Sequence, residues 1–352
     1  MKTDFKRVYI GYTVYSLYLY LLYSTEEEIN NTFFFFGEGI DKRIRDKFEN
    51  QYFFNDAMYE RKNTFSRLLY RIRLRHQSHQ IWPFLKDAQI FAQDQFFFCA
   101  ALIAKRNYTL VEDAPNVFLR HRGSMNKQRK TFLHIVYVFK KIFHKYIENS
   151  FSGEMGENAQ CTSFLMTNIE SDPILKGKEL IQVVETEYWD KAPETKRNQI
   201  LVVFSITAED LAQLKKRKVI VFTQNFASLG FLPEQELVDI YAERIAKYPL
   251  EDIVIKKHAF DWIDYRKYFP DAYVFDKIVP MQLVNLLGIR YRTAITICSS
   301  AVLSFPYDIR IENSIRRSFP YDIRIDWIGT EGNPKLFAAL GKHELEAYMN
   351  KT

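Results

Sequence analysis

Short apolar runs alternate with helix-like segments along the first half of the chain, which predicts an α/β sheet with parallel strands. An apolar run at 7–12 is followed by an aromatic-rich segment, and we expect the latter to form a helix packed on the sheet. The apolar stretch 12–24 is too short to span a bilayer, which takes about 20 residues. Strands are predicted within segments 31–40, 51–56, 87–95 and 108–116.

Five further segments of the first half carry weaker patterns. Residues 67–76 alternate Arg with apolar side chains and fit a strand or a helix. Residues 96–106 are apolar and predict a helix, and residues 127–150 have the i, i+3, i+4 spacing of an amphipathic helix. Segment 152–175 contains Gly, Ser and Asn among mixed residues and predicts an irregular connection. The apolar run 199–206 predicts another strand.

The second half repeats the alternation in the order β-α-β-β-α-β. Its predicted helices are 233–249 and 280–288, the latter with Pro at its start and Gly at its end. With 352 residues the chain is long enough for two domains, which we place at 1–207 and 208–352. The predicted strands lie at 218–226, 252–258, 272–276 and 293–300.

An eight-residue segment, SFPYDIRI, occurs twice, at 304–311 and again at 318–325. Two copies at this short spacing do not make a solenoid or a propeller, which need longer and more numerous repeats. We interpret the repeat as an accidental tandem duplication, in which one of the two copies is surplus. The fold needs one further strand here, which residues 323–329 suit, and the surplus copy is expected to loop out at the surface.

Composition narrows the class of protein. A chain that is 47% hydrophobic and 26% charged is typical of a folded globular protein. The net charge of +6 favours anionic partners but lacks the dense basic stripe of a nucleic-acid-binding domain, so no nucleic-acid partner is expected. The odd number of cysteines, with no CxxC pair, predicts buried thiols in the cytoplasm. They are Cys99, Cys161 and Cys298.

Two candidate catalytic features follow predicted strands, where open α/β sheets place functional residues. Glu112 and Asp113 form an acidic pair that fits a general base, with its pKa raised by the like-charged neighbour, or simply a solvated turn or a helix cap. His258, with Lys256 and Lys257 before it, fits a proton donor to a phosphate leaving group or a surface His in a basic loop.

A third feature is the serine pair at the end of the strand predicted over 293–300. Ser299 and Ser300 fit a phosphate-binding turn, or they cap a following helix. The chain has no GxGxxG, phosphate-loop or HExxH motif, and the two His of segment 76–79 lie among Arg residues. No metal site is therefore expected.

The acidic pair, the His and the serine pair occur in the same order and context as in bacterial sialyltransferases. The chain resembles glycosyltransferase family 52, the lipooligosaccharide and capsule sialyltransferases. The resemblance is carried by YIGYTVYSLYLYLL, DQFFFCAALIAKRNYTLVEDAPN, VFTQNF, ELVDIYAERIAKYPLEDIVIKKHAFDW, VPMQL and ITICSSAV.

This resemblance implies a GT-B fold, in which two Rossmann-like domains face each other across a cleft. It also implies CMP-sialic acid as the donor, held by the C-terminal domain, with no cofactor and no metal. The acceptor would be a galactose-terminated glycan of a bacterial lipooligosaccharide or surface polysaccharide. The inner face of the membrane, as a peripheral contact, and a second copy of the chain stay open as further partners.

The resemblance also implies roles for individual residues. Asp113 would be the base, with Glu112 as the alternative, and Glu234 and Glu236 as the next candidates. His258 would protonate or stabilise the departing phosphate. The remaining expected donor contacts are Ser299, Ser300, Lys256, Gln282, Thr223 and Gln224.

The chain departs from the family pattern at four places, one of which is the loop after VFTQ, where NFASLG stands in place of residues that are often acidic. Ala114 follows the acidic pair where the family has Gly, Ala259 follows His258 where it has Pro, and Gln282 stands where it has Glu. Two alternatives to a sialyltransferase therefore stay open. One is a different sugar transferase of the same fold, and the other is a non-catalytic member that binds nucleotide or glycan.

Overall fold

The structure, a computed structural model, describes residues 4–55, 64–96, 98–115, 155–169, 172–299, 301–302 and 323–341. The chain divides into two compact units, Met1–Val203 and Phe204–Thr352. The division falls just before residue 208, where we expected the second domain to begin. Each unit is built around its own parallel sheet, so the α/β fold class is confirmed.

The first unit contains a seven-stranded sheet among its described residues, in the order β3-β2-β1-β4-β5-β6-β7. Each of these neighbouring strand pairs is parallel, and central strands such as β2 are buried along their whole length. Long apolar runs are what a sheet covered on both faces requires. The strands are Arg7–Gly11 (β1), Thr32–Phe36 (β2), Gln51–Phe53 (β3), Gln89–Ala92 (β4), Tyr108–Val111 (β5), Cys161–Met166 (β6) and Glu179–Gln182 (β7).

Helices cover this sheet, and the predicted aromatic helix is one of them. Its residues Ser16 to Leu22 are all buried. Tyr20 shares a hydrogen bond of 2.6 Å with Thr32, which satisfies the polar end of a buried ring. The helices are Val14–Tyr23 (α1), Glu26–Asn30 (α2), Lys42–Arg45 (α3), Thr64–Ile81 (α4), Cys99–Leu102 (α5), Glu185–Lys191 (α6) and Glu194–Val203 (α7). Short 3-10 turns occur at Pro83–Lys86 and Pro173–Leu175.

Two glycines follow β2 because the chain passes close to Tyr12. A side chain on Gly39 would place its Cβ 2.0 Å from the Tyr12 carbonyl oxygen, and one on Gly37 would meet the Tyr12 ring at 2.4 Å. Both contacts are closer than real side chains tolerate. The glycine turn predicted after this strand therefore serves packing at the end of β1.

The expectation of an irregular connection over 152–175 is wrong, because β6 lies within it. Polar residues in its sequence obscured the strand. Ser163 is nevertheless buried, and its hydroxyl pairs with that of Thr109 on β5 at 2.7 Å. A polar side chain that is satisfied inside a sheet does not interrupt it. Strand β7 was not predicted either, since its burial is only partial.

The strand expected over 199–206 is also wrong, because helix α7 ends at Val203. Lys196, Ile200 and Val203 are buried, with the spacing of one helical face, while Val202 is 59% exposed. The Lys196 ammonium donates to the Leu22 carbonyl at 2.6 Å and so fixes α7 against the end of α1. A short apolar run cannot by itself separate a strand from a buried helical turn.

The remaining ambiguities of the first half are settled for described residues. The Arg-rich segment 67–76 lies within helix α4. The helix expected over 96–106 is confined to Cys99–Leu102. The amphipathic helix expected over 127–150 lies outside the described residues.

The second unit follows the predicted β-α-β-β-α-β order and adds one strand at the end. Its sheet has the order β10-β9-β8-β11-β12, and each neighbouring pair in this order is parallel. The strands are Val219–Phe222 (β8), Ile253–Lys256 (β9), Tyr273–Phe275 (β10), Thr293–Thr296 (β11) and Arg324–Trp327 (β12). The helices are Ala208–Lys216 (α8), Glu234–Ile245 (α9), Met281–Leu286 (α10) and Pro334–Leu340 (α11), with 3-10 turns at Leu250–Asp252 and Tyr265–Lys267.

The strand that was expected over 323–329 is β12, and it begins inside the second copy of SFPYDIRI. Arg324 and Ile325 belong to that copy and pair with Thr293 and Ala294 of β11. The first copy, 304–311, lies outside the described residues.

The three cysteines are buried free thiols, as expected from their number and spacing. No helix among the described residues is both long enough and apolar enough to cross a membrane.

Candidate active site

Polar side chains of the first unit meet where β1, β4, β5 and β6 end. Gln93, directly after β4, joins two of these ends through its amide. Its Oε1 accepts the backbone N–H groups of Tyr12 and Thr13, at 2.6 and 3.0 Å, and its Nε2 donates to the Thr13 hydroxyl. That hydroxyl in turn donates to the Asp113 carbonyl at 3.3 Å. The backbone at the acidic pair is therefore tied to the start of α1.

Glu112, the first member of the acidic pair, is almost completely buried, at 1% exposure. Its Oε1 accepts three hydrogen bonds, from the Tyr15 hydroxyl at 2.7 Å and from the hydroxyl and backbone N–H of Thr167 at 2.6 and 2.8 Å. Burial raises the pKa of the Glu112 carboxyl to about 8, despite these hydrogen bonds, and the charge of nearby Glu185 adds to the increase. Glu112 therefore holds a proton at neutral pH and links β5, β6 and α1.

Asp113, the second member, has different surroundings. Its side chain is half-buried, and its Oδ2 accepts a hydrogen bond from the Gln95 amide at 2.8 Å. Its Oδ1 is buried and has no hydrogen-bond partner among the described residues. An unsatisfied buried carboxylate oxygen is costly, so a ligand hydroxyl that reached this atom would find an unused acceptor.

In the second unit, Thr223 organises the ends of β8 and β9. Its hydroxyl donates to the Asp261 carboxylate at 2.6 Å and accepts the backbone N–H of His258 at 3.0 Å. The backbone N–H of Asp261 donates to the His258 carbonyl at 3.0 Å, which closes a turn over residues 258–261. Both Thr223 and Asp261 are buried, so this turn is held from below by satisfied polar groups.

His258 projects from that turn with one ring nitrogen already occupied. Its Nδ1 accepts the backbone N–H of Phe260 at 3.2 Å. Burial lowers the pKa of the His258 imidazole below its usual value; Asp261 opposes this decrease and Lys256 adds to it. The neutral ring that results carries its proton on Nε2, because Nδ1 is an acceptor. His258 can therefore donate a hydrogen bond from Nε2.

Lys256, the last residue of β9, is a buried cation. Its ammonium donates to the Lys277 carbonyl at 2.8 Å and to the Lys257 carbonyl at 3.3 Å, and it lies 5.5 Å from the centre of the Phe275 ring. Burial lowers the pKa of Lys256 to about 8. These contacts join the ends of β9 and β10 beneath the turn that carries His258.

The remaining residues expected to contact the donor differ in their burial and in how many of their hydrogen-bonding atoms are already used. Ser299 accepts the Ala301 backbone N–H at 3.2 Å through its Oγ, so it caps a turn while its own hydroxyl proton stays free to donate. Gln282, at the start of α10, is buried, and its amide makes no hydrogen bond with the described part of the chain. Gln224 is half-buried after β8. Ser300 lies outside the described residues.

The two reserve candidates for the base have partners within the second unit. Glu234 accepts the Tyr268 hydroxyl at 2.8 Å. Glu236 forms an ion pair with Lys335 and accepts the Asn333 amide, and these contacts lower the pKa of its carboxyl. No group of three or more His, Cys, Asp or Glu side chains within the described ranges is arranged to hold a metal ion.

Sequence reasoning missed the residues that support the candidates. Asp261 lies three residues after His258, but nothing in its sequence context shows that it binds back to Thr223. Thr167 was hidden because β6, which it follows, was not predicted. Tyr15 was interpreted only as an apolar helix residue. Each acts through a contact between distant segments, which no local pattern reveals.

The fold of this chain is similar to that of solved bacterial sialyltransferases. One from Photobacterium damsela has a TM-score of 0.52 and 12% identity, over 86% of this chain and 72% of that one. A structure of its GT-B domain has a TM-score of 0.50 and 12% identity, over 86% and 88%. A 2,6-sialyltransferase of Photobacterium sp. JT-ISH-224, solved with CMP and lactose, has a TM-score of 0.53 and 10% identity, over 97% and 74%. The fold is therefore of the GT-B class.

The family follows from the sequence match. The model of glycosyltransferase family 52 matches residues 25–312, and the chain belongs to this family. An uncharacterized protein of Haemophilus influenzae is 24% identical over 262 residues, which cover 74% of this chain and 75% of that protein.

The raised pKa of Glu112 predicts how stability depends on pH. The native carboxyl titrates at about 8 and the unfolded one near 4.5, so the native state holds an extra proton between these values. The free energy of unfolding should therefore fall as pH rises through this window, by up to about 1.4 kcal/mol per pH unit. The Gln side chain resembles the neutral acid. Glu112→Gln should therefore abolish this contribution, so that the free energy of unfolding decreases less steeply as pH rises.

Chemical denaturation of both proteins between about pH 5 and 8 measures the effect. Glu49→Gln, at an exposed carboxyl of the same unit, is the control and should keep the wild-type slope. The interpretation is wrong if Glu112→Gln and the wild type lose stability in parallel.

Proposed function

We propose that the protein is an inverting sialyltransferase that moves sialic acid from CMP-sialic acid to a galactose-terminated glycan of a bacterial surface polysaccharide or lipooligosaccharide. The observation that carries this proposal is the turn that bears His258 at the carboxyl ends of β8 and β9. The Thr223 hydroxyl fixes this turn through hydrogen bonds with Asp261 and with the His258 backbone. Open α/β sheets bind ligands at this end of their strands. Membership of glycosyltransferase family 52 supports a sugar-nucleotide ligand there.

The phosphate of CMP-sialic acid would be recognised by side chains that still have an unused hydrogen-bond donor. The Nε2–H of His258, the hydroxyl of Ser299 and the amide of Gln282 meet this condition. Ser300, Thr223 and Gln224 are expected close by, although Thr223 acts chiefly by holding the turn. Lys256 contributes positive charge from beneath and needs no direct contact with the phosphate.

The first unit would supply the base. Asp113 suits this task better than Glu112, because its Oδ1 is an unused acceptor whereas Glu112 already holds a proton at neutral pH. In the reaction, Asp113 takes the proton from an acceptor hydroxyl as the oxygen attacks the anomeric carbon. The new carbon–oxygen bond forms on the face opposite CMP, and the electron pair of the breaking bond passes to the CMP phosphate. One displacement of this kind inverts the configuration at the anomeric carbon.

A non-catalytic role is the second candidate, and three substitutions favour it. Ala114, Ala259 and Gln282 replace the Gly, Pro and Glu of the family pattern. A displacement of the reacting groups by about 1 Å can cost about 100-fold in rate. Calorimetry distinguishes the cases, because such a member would bind CMP without turning over CMP-sialic acid. Displacement of CMP by UDP would instead favour a different sugar transferase.

Asp113→Asn keeps the shape of the side chain and removes its basicity, so turnover should fall by about 100-fold or more with little change in donor affinity. Glu112→Gln is the matched control, and it should stay active because Glu112 is already neutral. The initial rate and the CMP affinity of each variant are measured, which separates a loss of catalysis from a loss of donor binding. If Asp113→Asn stays active while Glu112→Gln does not, the base is Glu112. If both stay active, Glu234 and Glu236 are tested next.

His258 is predicted to act through a hydrogen bond from Nε2 to the departing phosphate. His258→Ala should reduce turnover by about 100-fold or more and lower CMP affinity much less, because Ser299 and Gln282 would still hold the phosphate. The Gln side chain can place an N–H near the position of Nε2 but cannot release a proton. His258→Gln should therefore keep more turnover than His258→Ala. Equal loss in both variants with intact CMP binding would instead show that proton transfer is required.

A further inference from the structure

Two aromatic side chains project into solvent from the loop that carries His258. Phe260 is 63% exposed and Trp262 is 58% exposed, and no large hydrophobic side chain in the described part of the chain is more exposed than Phe260. Scattered apolar residues are normal on a protein surface, but neighbouring ones beside a candidate site indicate a surface that binds something. Phe260 and Trp262 are called the aromatic pair below.

The loop turns the aromatic pair outward because it buries the residue after each ring. Asp261 is 6% exposed and Ile263 is fully buried. One carboxylate oxygen of Asp261 accepts the Thr223 hydroxyl at 2.6 Å, and the other accepts the backbone N–H of Ile263 at 3.1 Å. These anchors leave solvent as the surroundings of the two rings.

A second contact fixes the loop to its neighbour. The Ser228 hydroxyl, in the loop after β8, donates to the Phe260 carbonyl at 2.8 Å. Phe226 of that loop and Ile263 belong to the same hydrophobic core as Tyr241 of α9. Both loops are therefore held to the fold on either side of the aromatic pair. A surface that is already ordered has a smaller entropic cost to overcome when a ligand binds.

The aromatic pair borders the candidate site. The centre of the Phe260 ring lies 6.0 Å from the centre of the His258 ring, with 46° between the two planes. The backbone N–H of Phe260 donates to the Nδ1 of His258 at 3.2 Å, so the two residues keep this arrangement. A substrate whose phosphate contacts the Nε2 of His258 therefore has the Phe260 ring beside it.

The strand that precedes the turn separates the aromatic pair from the buried lysine. Ile255 packs in the core beneath α9, so the next residue of β9, Lys256, points to the opposite face of the sheet. There its ammonium lies 5.5 Å from the centre of the Phe275 ring. The loop of the aromatic pair instead packs on the α9 side through Ile263. The charge that would attract the nucleotide thus comes from one side of His258, and the aromatic pair lies on the other.

We infer that Phe260 and Trp262 stack on a neutral pyranose ring of the glycan acceptor, an inference that rests on the proposed function. The face of an aromatic ring is partly negative, so it attracts C–H groups and disfavours the carboxylate of sialic acid. Galactose presents the C–H groups of C3, C4 and C5 on one face and suits such a surface. Ligand sites commonly combine aromatic walls of this kind with a few polar groups, which His258 and Ser299 would supply.

The test uses the full-length protein, with lactose and CMP as separate probes. Lactose affinity is measured by ligand-observed NMR, CMP affinity by calorimetry, and KM for lactose and for CMP-sialic acid by initial rates. The variants are Phe260→Ala, Trp262→Ala and Trp262→Phe, the last of which keeps an aromatic face. The matched control is Phe337→Ala, which removes a 45% exposed ring from α11 of the same unit. Thermal unfolding verifies that each variant is folded.

Each Ala variant should bind lactose about tenfold more weakly, with a matching rise in KM for lactose, because one stacked ring is lost. CMP affinity and KM for CMP-sialic acid should stay at the wild-type values. Trp262→Phe should retain most of the lactose affinity, and Phe337→Ala should match the wild type.

The possible failures can be told apart. The inference is overturned if the wild type binds no lactose, or if both Ala variants bind it as the wild type does. It is also overturned if the Ala variants lose CMP affinity and keep lactose affinity, since the aromatic pair would then hold the nucleobase. If lactose binding depends on the aromatic pair but no sialic acid is transferred, the inference stands and the proposed reaction fails.

Discussion

The hydrogen bond from the Thr223 hydroxyl to the buried Asp261 carboxylate determines the geometry of the second unit's carboxyl edge. The same hydroxyl accepts the His258 backbone N–H, so one side chain at the end of β8 fixes where the loop after β9 begins. Hydrogen bonds to charged groups contribute about 1.5–3 kcal/mol, and a buried carboxylate that loses its partner costs more than that. The direction of the His258 ring, and with it the availability of Nε2, depends on this contact.

Burial gives neighbouring groups of the same type different chemistry in both units. Glu112 and Asp113 are adjacent carboxyls, and each has one buried oxygen without a hydrogen-bond partner among the described residues. Glu112 is fully enclosed beside Tyr15 and Thr167, whereas Asp113 is only half-buried. Lys256 is enclosed in a similar way at the end of β9, where backbone carbonyls occupy its ammonium. The buried Glu112 and Lys256 therefore stabilise the strand ends, whereas the less buried Asp113 and His258 are available to a ligand.

Most strands were predictable from sequence because both faces of a parallel sheet are covered, which demands apolar runs such as Thr32–Phe36 and Ile253–Lys256. Strand β6 escaped prediction because Ser163 satisfies its hydroxyl inside the sheet, and α7 was mistaken for a strand because its apolar run is short. The acidic pair and His258 could be located from their positions after strands. Asp261 could not, since its role arises from a contact with a residue 38 positions earlier in the chain. The family resemblance supplied the donor hypothesis, which local patterns alone could not provide.

The central claim is that this chain transfers sialic acid from CMP-sialic acid. The most direct measurement is mass spectrometry of the wild-type protein incubated with lactose and CMP-sialic acid, with UDP-galactose in a parallel reaction. The account predicts sialylated lactose and free CMP in the first reaction and no sugar transfer in the second. Transfer from UDP-galactose alone would contradict the donor assignment, and intact CMP-sialic acid in the presence of bound CMP would contradict catalysis itself.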